Sequence, residues 1–282
     1  MEELRDILAR HGFSFKKQFG QNFISDTNLL RSIVAAAGVT GESTVVEIGP
    51  GAGTLTRALS EAAKRVVAFE IDVKLQPVLA ETLAGRDNVE VVFRDFAKVN
   101  LPALEREIGN YTVVANLPYY VTTPVVMRFV EEAEKCDSLT VMVQEEVADR
   151  FCAQAGTPEY GAVTAAIARR GTCRIVKRVS RNLFYPRPNV DSAVVRVDFT
   201  GEGIAVRSAK AYRETVRCAF LNRRKTLENN LMQSFRIGRD AAAEILREAG
   251  VEEKARGETL SPERLAQLSD LLFARGLIAD EK

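Results

Sequence analysis

The 282-residue sequence has very little histidine and cysteine. His11 is its single histidine, and its four cysteines, Cys136, Cys152, Cys173 and Cys218, are far apart in the sequence and form no CxxC pair. These residues give neither a plausible zinc site nor a plausible histidine-based catalytic triad. We therefore expect no metal, and scattered reduced thiols are typical of a cytoplasmic protein.

Long apolar segments are also missing. No uninterrupted apolar run approaches the ~20 residues that a membrane helix needs. The opening residues MEELRDILARHG carry charges, where a signal peptide would need an apolar stretch. The apolar fraction of 46% is nevertheless ordinary for a globular protein. We expect a globular protein that does not contact a membrane.

The net charge is only +1, but basic residues are unevenly distributed. Between residues 161 and 188 there are seven basic residues and no acidic one: Arg169, Arg170, Arg174, Lys177, Arg178, Arg181 and Arg187. Two shorter clusters are Lys16-Lys17 and Arg223-Arg224-Lys225. Clustered positive charge is expected where a protein binds a phosphate backbone. Each cluster could equally be a solvated surface that acids nearby in space neutralise.

Short apolar runs alternate with helical stretches from about residue 44, a pattern typical of a parallel α/β sheet. The predicted strands span 43–49, 65–72, 88–96, 112–120 and 138–144, and TCRIVKRVS and SAVVRVDF predict two closing strands. A helix is predicted after Thr123-Pro124, because proline is favourable in the first turn.

The pattern changes near residue 204. Residues 208–276 have apolar spacings of three and four and a single proline, Pro262, which predicts a small all-helical domain. We therefore predict two domains, at 1–204 and 205–282.

A glycine-rich turn follows the first predicted strand, in EIGPGAGTLT. Gly49, Gly51 and Gly53 lack a Cβ atom, so the backbone can turn tightly and approach a ligand closely. The dinucleotide-binding pattern GxGxxG would require glycine where this sequence has Thr54. The turn alone therefore indicates a nucleotide-like ligand only weakly.

Polar side chains lie towards the carboxyl ends of the next three predicted strands. Glu70 can accept hydrogen bonds from ribose hydroxyls, Asp95 can accept one from an adenine amine, and Asn116 ends the fourth strand. Ligands of open parallel sheets bind at the carboxyl ends of the strands, although each acid could instead cap a helix. This arrangement, over residues 40–145, resembles the class I S-adenosylmethionine-dependent methyltransferases.

The segment Asn116-Leu117-Pro118-Tyr119 is suited to activating an exocyclic adenine amine, whose lone pair is delocalised into the ring. The Asn116 amide oxygen and the Leu117 carbonyl could accept its two hydrogens and favour a more tetrahedral nitrogen. Pro118 would fix the turn, and Tyr119 could stack on the base. A strand end with a proline turn and a buried aromatic is the alternative interpretation of these residues.

Four motifs make the resemblance narrower. NLPYY (116–120) is similar to the target-amine motif of adenine amino-methyltransferases. KKQFGQNFISD (16–26), FYPRPNVDSAVV (184–195) and AFLNRRKTLENNL (219–231) resemble, in order and spacing, motifs of the KsgA/RsmA family of ribosomal RNA adenine dimethyltransferases. The resemblance covers nearly the whole chain. It implies a Rossmann-like class I methyltransferase sheet followed by a small helical RNA-binding domain.

The resemblance also implies a role for individual residues. The expected cofactor contacts are Gln21, Asn22, Ile24, Gly49, Gly51, Glu70, Asp95 and Asn116. Phe184 would stack on the target base opposite Tyr119, although a core aromatic is the alternative. Ile24 stands where leucine is usual, and Tyr120 occupies a variable position to which we assign no catalytic role.

The implied activity is dimethylation of two adjacent adenosines in the 3′-terminal hairpin of 16S ribosomal RNA. S-adenosylmethionine would be the methyl donor, S-adenosylhomocysteine the product, and Arg223, Arg224 and Lys225 would bind RNA of the small ribosomal subunit. We expect a monomer. The alternatives are an Erm-type enzyme that acts on 23S ribosomal RNA and a non-catalytic nucleic-acid-binding factor on the same scaffold, while Thr54 disfavours a dehydrogenase.

Overall fold

Apolar runs of the sequence form the strands of a central sheet. The computed structural model describes residues 2–13, 23–24, 26–199, 201, 203–252 and 254–280. Within these residues the strands are β1 (Phe23–Ile24), β2 (Thr44–Ile48), β3 (Arg65–Glu70), β4 (Val89–Phe93), β5 (Tyr111–Asn116), β6 (Cys136–Gln144), β7 (Thr172–Val179), β8 (Phe184–Tyr185) and β9 (Ser192–Asp198). Val45, Val46, Val113 and Val114 are fully buried, as expected for parallel strands that are covered on both faces.

Seven strands pair in the order β4-β3-β2-β5-β6-β9-β7. The strands from β4 to β6 in this order are parallel, and β9 is antiparallel to β6. The winding reverses between β2 and β5, and open α/β sheets bind ligands beyond the strand ends at such a point. The predicted α/β class is therefore confirmed.

Two strands end at least three residues earlier than predicted. β4 ends at Phe93 rather than residue 96, because the Asp95 side chain accepts a hydrogen bond from the Ala97 amide (3.0 Å) and caps a 3-10 turn, Phe96–Lys98. β5 ends at Asn116 rather than Tyr120, because the proline turn begins a helix there.

The described helices are α1 (Glu2–Arg10), α2 (Thr27–Ala36), α3 (Thr54–Ser60), α4 (Gln76–Thr82), α5 (Leu101–Ile108), α6 (Tyr119–Glu132), α7 (Glu145–Phe151), α8 (Ala162–Arg170), α9 (Ala209–Ala219), α10 (Leu227–Phe235), α11 (Arg239–Glu248) and α12 (Pro262–Ala274). Several begin at a polar N-cap, as at Asp26, Ser208 and Thr226, whose side chains accept a hydrogen bond from the first turn. Among the described residues, no helix has the length and apolar character to cross a membrane.

The start of α6 differs from the prediction. The helix begins at Tyr119, directly after Pro118 with φ −53°, so the prediction of a start after Thr123-Pro124 was wrong. The Thr122 hydroxyl donates to the Pro118 carbonyl (3.2 Å) and closes the first turn. Pro124 therefore lies inside the helix, where it has no amide hydrogen to donate to the preceding turn.

The chain divides into two compact units. The first, which we call the sheet unit, comprises residues 1–148 and 174–199. The second, the helical unit, comprises residues 149–173 and 200–282. The sequence analysis assigned segment 149–173 to the first domain.

The core of the helical unit follows the predicted spacing of apolar residues. Leu265, Leu268 and Leu272, on one face of α12, have no exposed surface. Segment 149–173 joins this core through α8, because the buried Tyr212 phenol of α9 donates to the Ala165 carbonyl (2.9 Å).

A second, two-stranded sheet pairs β1 with β8. Ile24 lies opposite Phe184 and Phe23 opposite Tyr185, in antiparallel register. Two distant segments of the sheet unit are thereby brought together.

Candidate active site

A cavity of about 300 Å³ lies in the sheet unit at the carboxyl ends of β2, β3 and β5. The predicted site residues that line it are Ile24, Gly49, Gly51, Glu70, Asp95, Asn116, Leu117, Pro118, Tyr119 and Phe184. Gln21 and Asn22 lie outside the described residues. The structure therefore brings together, around one cavity, every described residue predicted to contact the cofactor or the target base.

The glycine-rich turn forms one edge of the cavity. Gly51 has φ +58°, and a Cβ atom there would approach the Phe23 ring to 2.6 Å. Glycine is therefore required both by the backbone conformation and by the packing of the aromatic ring above it. Gly49 also has a positive φ, +72°.

Glu70 ends β3 with a carboxylate that the backbone already holds. Its Oε1 accepts hydrogen bonds from the amides of Ile71 (2.9 Å) and Asp72 (2.8 Å), and its Oε2 accepts one from Gly51 (3.0 Å). Burial raises the pKa of Glu70 above its ordinary value, and these backbone bonds act in the opposite direction. A carboxylate has about four acceptor positions, so among the described residues Oε2 keeps room for one hydroxyl.

Glu47, at the penultimate position of β2, is a buried acid that the sequence analysis did not identify. Its side chain is 1% exposed and lines the cavity, and within the described residues its Oε2 has no hydrogen-bond partner. Burial raises the pKa of Glu47 from 4.5 to about 8; interaction with the Thr56 side chain opposes the rise, and the charge of Glu70 adds to it. A buried carboxyl oxygen without a partner favours a positively charged or hydrogen-bond-donating ligand.

The segment after Asp95 is fixed by a second residue that was not predicted. The Arg128 guanidinium donates to the carbonyls of Phe96 and Val99 and lies 5.3 Å from the centre of the Phe96 ring. Arg128 therefore holds the 3-10 turn that begins at Asp95. One Asp95 oxygen caps this turn, as the alternative interpretation of the acids anticipated.

The turn after β5 presents the predicted acceptors. Leu117 is buried, with 6% of its surface exposed, and Asn116 is half-buried. The Pro118 carbonyl accepts from the Val121 amide (3.0 Å), as part of the first turn of α6. Asn116 and Leu117 therefore precede the helix and stand at the cavity wall.

The Tyr119 ring is held at its far end. Its hydroxyl lies 2.9 Å from the hydroxyl of Ser192, which is fully buried at the start of β9. Burial raises the pKa of the Tyr119 phenol, so the phenol stays neutral. Ser192 was not predicted, although it lies in the FYPRPNVDSAVV motif.

Phe184 and Ile24 lie on the opposing two-stranded sheet. Phe184 is 5% exposed and packs in the core cluster that also contains Ile24, yet it lines the cavity as well. The Thr54 hydroxyl donates to the Ile24 carbonyl (2.8 Å). The residue that breaks the dinucleotide pattern therefore joins β1 to the first turn of α3.

The sequence contained a signal for Glu47. It is a charged residue inside the apolar run TVVEI, where burial of a charge is costly. Arg128, Ser192 and Thr54 gave no such signal, because their roles depend on contacts between residues distant in the sequence. Within the described part of the chain, no cluster of His, Cys, Asp and Glu side chains is suited to hold a metal ion.

The basic turn Arg223-Arg224-Lys225 lies between α9 and α10 of the helical unit. The Arg223 guanidinium donates to Glu258 (3.1 Å) and to the Pro158 carbonyl (3.0 Å). Arg224 and Lys225 are exposed, and no other described residue hydrogen-bonds to their side chains. The three basic residues therefore have different environments.

Two contacts to Ala219, the last residue of α9, fix the backbone that leads into this turn. The buried Asn230 amide donates to the Ala219 carbonyl (3.1 Å). A Cβ atom at Gly257 would lie 2.1 Å from the same carbonyl oxygen, so only glycine fits there.

The basic residues between 161 and 188 are partly neutralised. Arg178 pairs with Glu145, Arg181 contacts Asp191 (4.0 Å) and Arg174 contacts Asp198 (3.9 Å). This agrees with the alternative interpretation for these three arginines.

The sequence matches the family described as ribosomal RNA adenine dimethylase over residues 12–272. A protein from Geobacillus thermodenitrificans named Ribosomal RNA small subunit methyltransferase A is 45% identical over 277 residues, which cover 95% of this chain and 94% of the relative. A protein of the same name from Streptococcus sanguinis is 44% identical over 281 residues and covers 97% of each chain.

Solved structures are similar to this one as well. A dimethyladenosine transferase from Plasmodium falciparum has a TM-score of 0.78 and 21% identity, covering 90% of this chain and 98% of that chain. The 23S ribosomal RNA methyltransferase ErmE has a TM-score of 0.69 and 29% identity, covering 89% and 99%. The Rossmann-like methyltransferase fold implied by the sequence is therefore confirmed.

Proposed function

This chain belongs to the ribosomal RNA adenine dimethylase family, and from this premise we propose that it transfers two methyl groups to each of two adjacent adenosines in the 3′-terminal hairpin of 16S ribosomal RNA. It is a ribosomal RNA adenine dimethyltransferase of a family that uses S-adenosylmethionine. One observation carries the proposal for the site. The acids Glu70 and Asp95 and the turn at Asn116–Pro118 line the same cavity.

The residues present fit the proposed cofactor. S-adenosylmethionine, when bound, supplies an electrophilic methyl group on a positively charged sulfur. Glu70 would accept a ribose hydroxyl at Oε2, Asp95 would accept from the adenine amine, and Gly49 would let the backbone approach the methionine part. The buried Glu47 Oε2, which has no hydrogen-bond partner among the described residues, suits a ligand that carries cationic groups. Ile24, with Gln21 and Asn22 outside the described residues, would cover it.

The target base would be held by its amine and its ring. Asn116 and the Leu117 carbonyl would accept the two hydrogens of the exocyclic amine, and Pro118 keeps that carbonyl in place. Tyr119 and Phe184 would stack on the ring. The residues act by orientation and electrostatics, and the proton leaves to water, because the amine becomes acidic on methylation.

The small subunit is favoured as the substrate by two observations. The relatives that are 44–45% identical carry small-subunit names, whereas ErmE, which is named for 23S RNA, is 29% identical. The AFLNRRKTLENNL motif, which contains the basic turn of the helical unit, resembles a motif of the KsgA/RsmA family and argues against an Erm-type enzyme. An Erm-type activity on the large subunit is the rival proposal.

The exposed residues Arg224 and Lys225 would bind the RNA backbone, with Arg223 supporting their turn. The target base must leave its stack to reach a recessed cavity, so contacts with phosphates would supply much of the affinity. We propose a monomeric enzyme, and a cytoplasmic location follows from a small-subunit substrate.

The decisive experiment is methylation of unmodified small and large ribosomal subunits with radiolabelled S-adenosylmethionine, followed by mapping of the modified bases. We expect label in the small subunit only, as dimethyladenosine at two adjacent positions. The Asn116→Ala variant is the control for contaminating activity.

Label confined to the large subunit would replace this proposal with the Erm-type alternative. No transfer to either subunit, with RNA binding intact, would favour the non-catalytic alternative. Binding to RNA should also weaken steeply between low and high salt, and an affinity indifferent to ionic strength would contradict the proposed phosphate contacts.

A further inference from the structure

Two cysteines that are 21 residues apart in the sequence lie next to each other in the helical unit. Cys152 directly follows α7, and Cys173 is the second residue of β7. Their Sγ atoms are 3.1 Å apart, and both side chains are partly accessible to solvent. A disulfide has an S–S length of about 2.0 Å, so bond formation needs an approach of about 1 Å.

The other two cysteines lie in different surroundings. Cys136 and Cys218 are 4% and 3% exposed. Burial raises the pKa of the Cys218 thiol to about 11, and the Cys136 thiol donates to the Ser138 carbonyl (3.3 Å). A buried thiol is protected from solution oxidants. Reaction with a disulfide reagent should therefore distinguish the pair from both buried cysteines.

The contact between the two thiols also makes one of them more reactive. The hydrogen bond from Cys173 lowers the pKa of Cys152, although burial opposes the effect. The thiolate is the nucleophile in thiol–disulfide exchange. Cys152 is therefore the attacking residue, and Cys173 is placed to resolve a mixed disulfide formed there.

We propose that Cys152 and Cys173 form a reversible intramolecular disulfide when the protein meets a low-molecular-weight disulfide such as oxidised glutathione. The Cys152 thiolate attacks one sulfur of the reagent and displaces the first thiolate. The Cys173 thiolate then attacks the Cys152 sulfur of the mixed disulfide and displaces the second. The two protons lost by the cysteines appear on the two reduced thiols, so one disulfide is reduced for each one formed.

The bond would close a loop that contributes to the core of the helical unit. The 20 residues 153–172 contain α8 and the buried Tyr160, and Tyr160 packs edge-on against Phe220 (ring centroids 5.6 Å). A crosslink across this loop lowers the entropy of the unfolded chain. The oxidised protein should therefore melt at a higher temperature, while cofactor binding in the sheet unit stays unchanged.

The test is oxidation of the reduced full-length protein with oxidised glutathione, followed by alkylation and peptide mapping by mass spectrometry. We expect a 152–173 linked peptide, a melting temperature raised by several degrees, and full reversal by dithiothreitol. Cys173→Ser should instead accumulate a glutathione adduct on Cys152. The matched controls, Cys136→Ser and Cys218→Ser, should form the 152–173 bond at the wild-type rate.

Three results would overturn the proposal. One is a stable mixed disulfide on Cys152 in the protein with both cysteines, because Cys173 would then fail to resolve it. Another is equal modification of all four cysteines, and the third is a linked protein that melts below the reduced one. The melting temperature of each reduced variant is the reference for its oxidised form. Destabilisation by the substitution itself is therefore distinguished from the effect of oxidation.

Discussion

The cavity of the sheet unit buries its ionisable side chains, whereas the basic turn of the helical unit exposes them to solvent. In the cavity, Glu47 and Glu70 are buried and their pKa values are raised by burial. In the turn, Arg224 and Lys225 are exposed to solvent. A buried charge is strongly affected by the loss of one partner, whereas an exposed one is screened by salt. The cavity should therefore determine turnover and cofactor affinity, and the turn should determine salt-dependent binding.

The largest effect is expected for Asn116→Ala. The variant removes an acceptor that would act on the amine in the transition state, so turnover should fall by about 10²–10³-fold. Cofactor binding, measured by calorimetry, should remain within about tenfold of wild type, because the other proposed cofactor contacts are retained. Turnover close to that of wild type would remove Asn116 from the mechanism.

Glu47→Gln tests the buried side of the comparison. The raised pKa means that the folded state retains the Glu47 proton between about pH 4.5 and 8, where the unfolded state has released it. The free energy of unfolding of the wild type should thus fall with rising pH across this window and level off above it. Denaturant titrations at several pH values should show that the free energy of unfolding of the variant, relative to that of the wild type, increases with pH up to about pH 8.

The same variant should bind the cofactor about tenfold more weakly, because it would lose the charge-assisted contact proposed for Glu47. Calorimetry in buffers of different ionisation enthalpy should detect proton release when the wild type binds its cofactor, and none in the variant. Equal proton release in both would mean that Glu47 does not face the cationic ligand.

Ser192→Ala tests whether the Tyr119 ring must be held at its hydroxyl end. Loss of this single hydrogen bond should lower kcat by about three- to tenfold, with little change in KM for RNA. Tyr119→Phe should have a similar effect, and the double variant should be no worse than either one. Additive losses would show that Ser192 acts through packing rather than by positioning Tyr119.

The smallest effects are expected at the basic turn. Arg224→Ala and Lys225→Ala should each weaken RNA binding a few-fold and lower the salt slope by about one, while Arg247→Ala, another exposed arginine of the helical unit, should not. Arg223→Ala should lower the melting temperature by a few degrees, because it removes the contacts to Glu258 and Pro158. An unchanged salt slope in both exposed-residue variants would exclude the turn from the RNA interface.

The sequence predicted the sheet well because its buried strands are continuous apolar runs, as in β2 and β5. It predicted the ends less well. Asp95 follows β4 by two residues and caps a turn, and α6 begins at Tyr119 because Pro118, rather than Pro124, precedes the first helical residue. Both boundaries are set by local hydrogen bonds, which the spacing of apolar residues does not predict.

The sequence analysis could not predict contacts between residues that are distant along the chain. Ser192 meets Tyr119 across 73 positions, and Arg128 reaches the carbonyls near Asp95 from α6. The helical unit includes residues 149–173, and its boundary lies inside α7 (Glu145–Phe151), where the sequence shows no break. Motif resemblance could identify which residues line the cavity, but not which neighbours hold them.

The pairing of β1 with β8 has a mechanical consequence. Ile24, expected over the cofactor, and Phe184, expected over the base, are cross-strand neighbours in a sheet of two short strands, and Thr54 anchors one of them to α3. We therefore expect that a displacement of one strand would move the other, because the two strands are paired. The methyl donor and the target base would then gain access to the cavity at the same time. This access would depend on β1 and β8 and would need no rearrangement of the seven-stranded sheet.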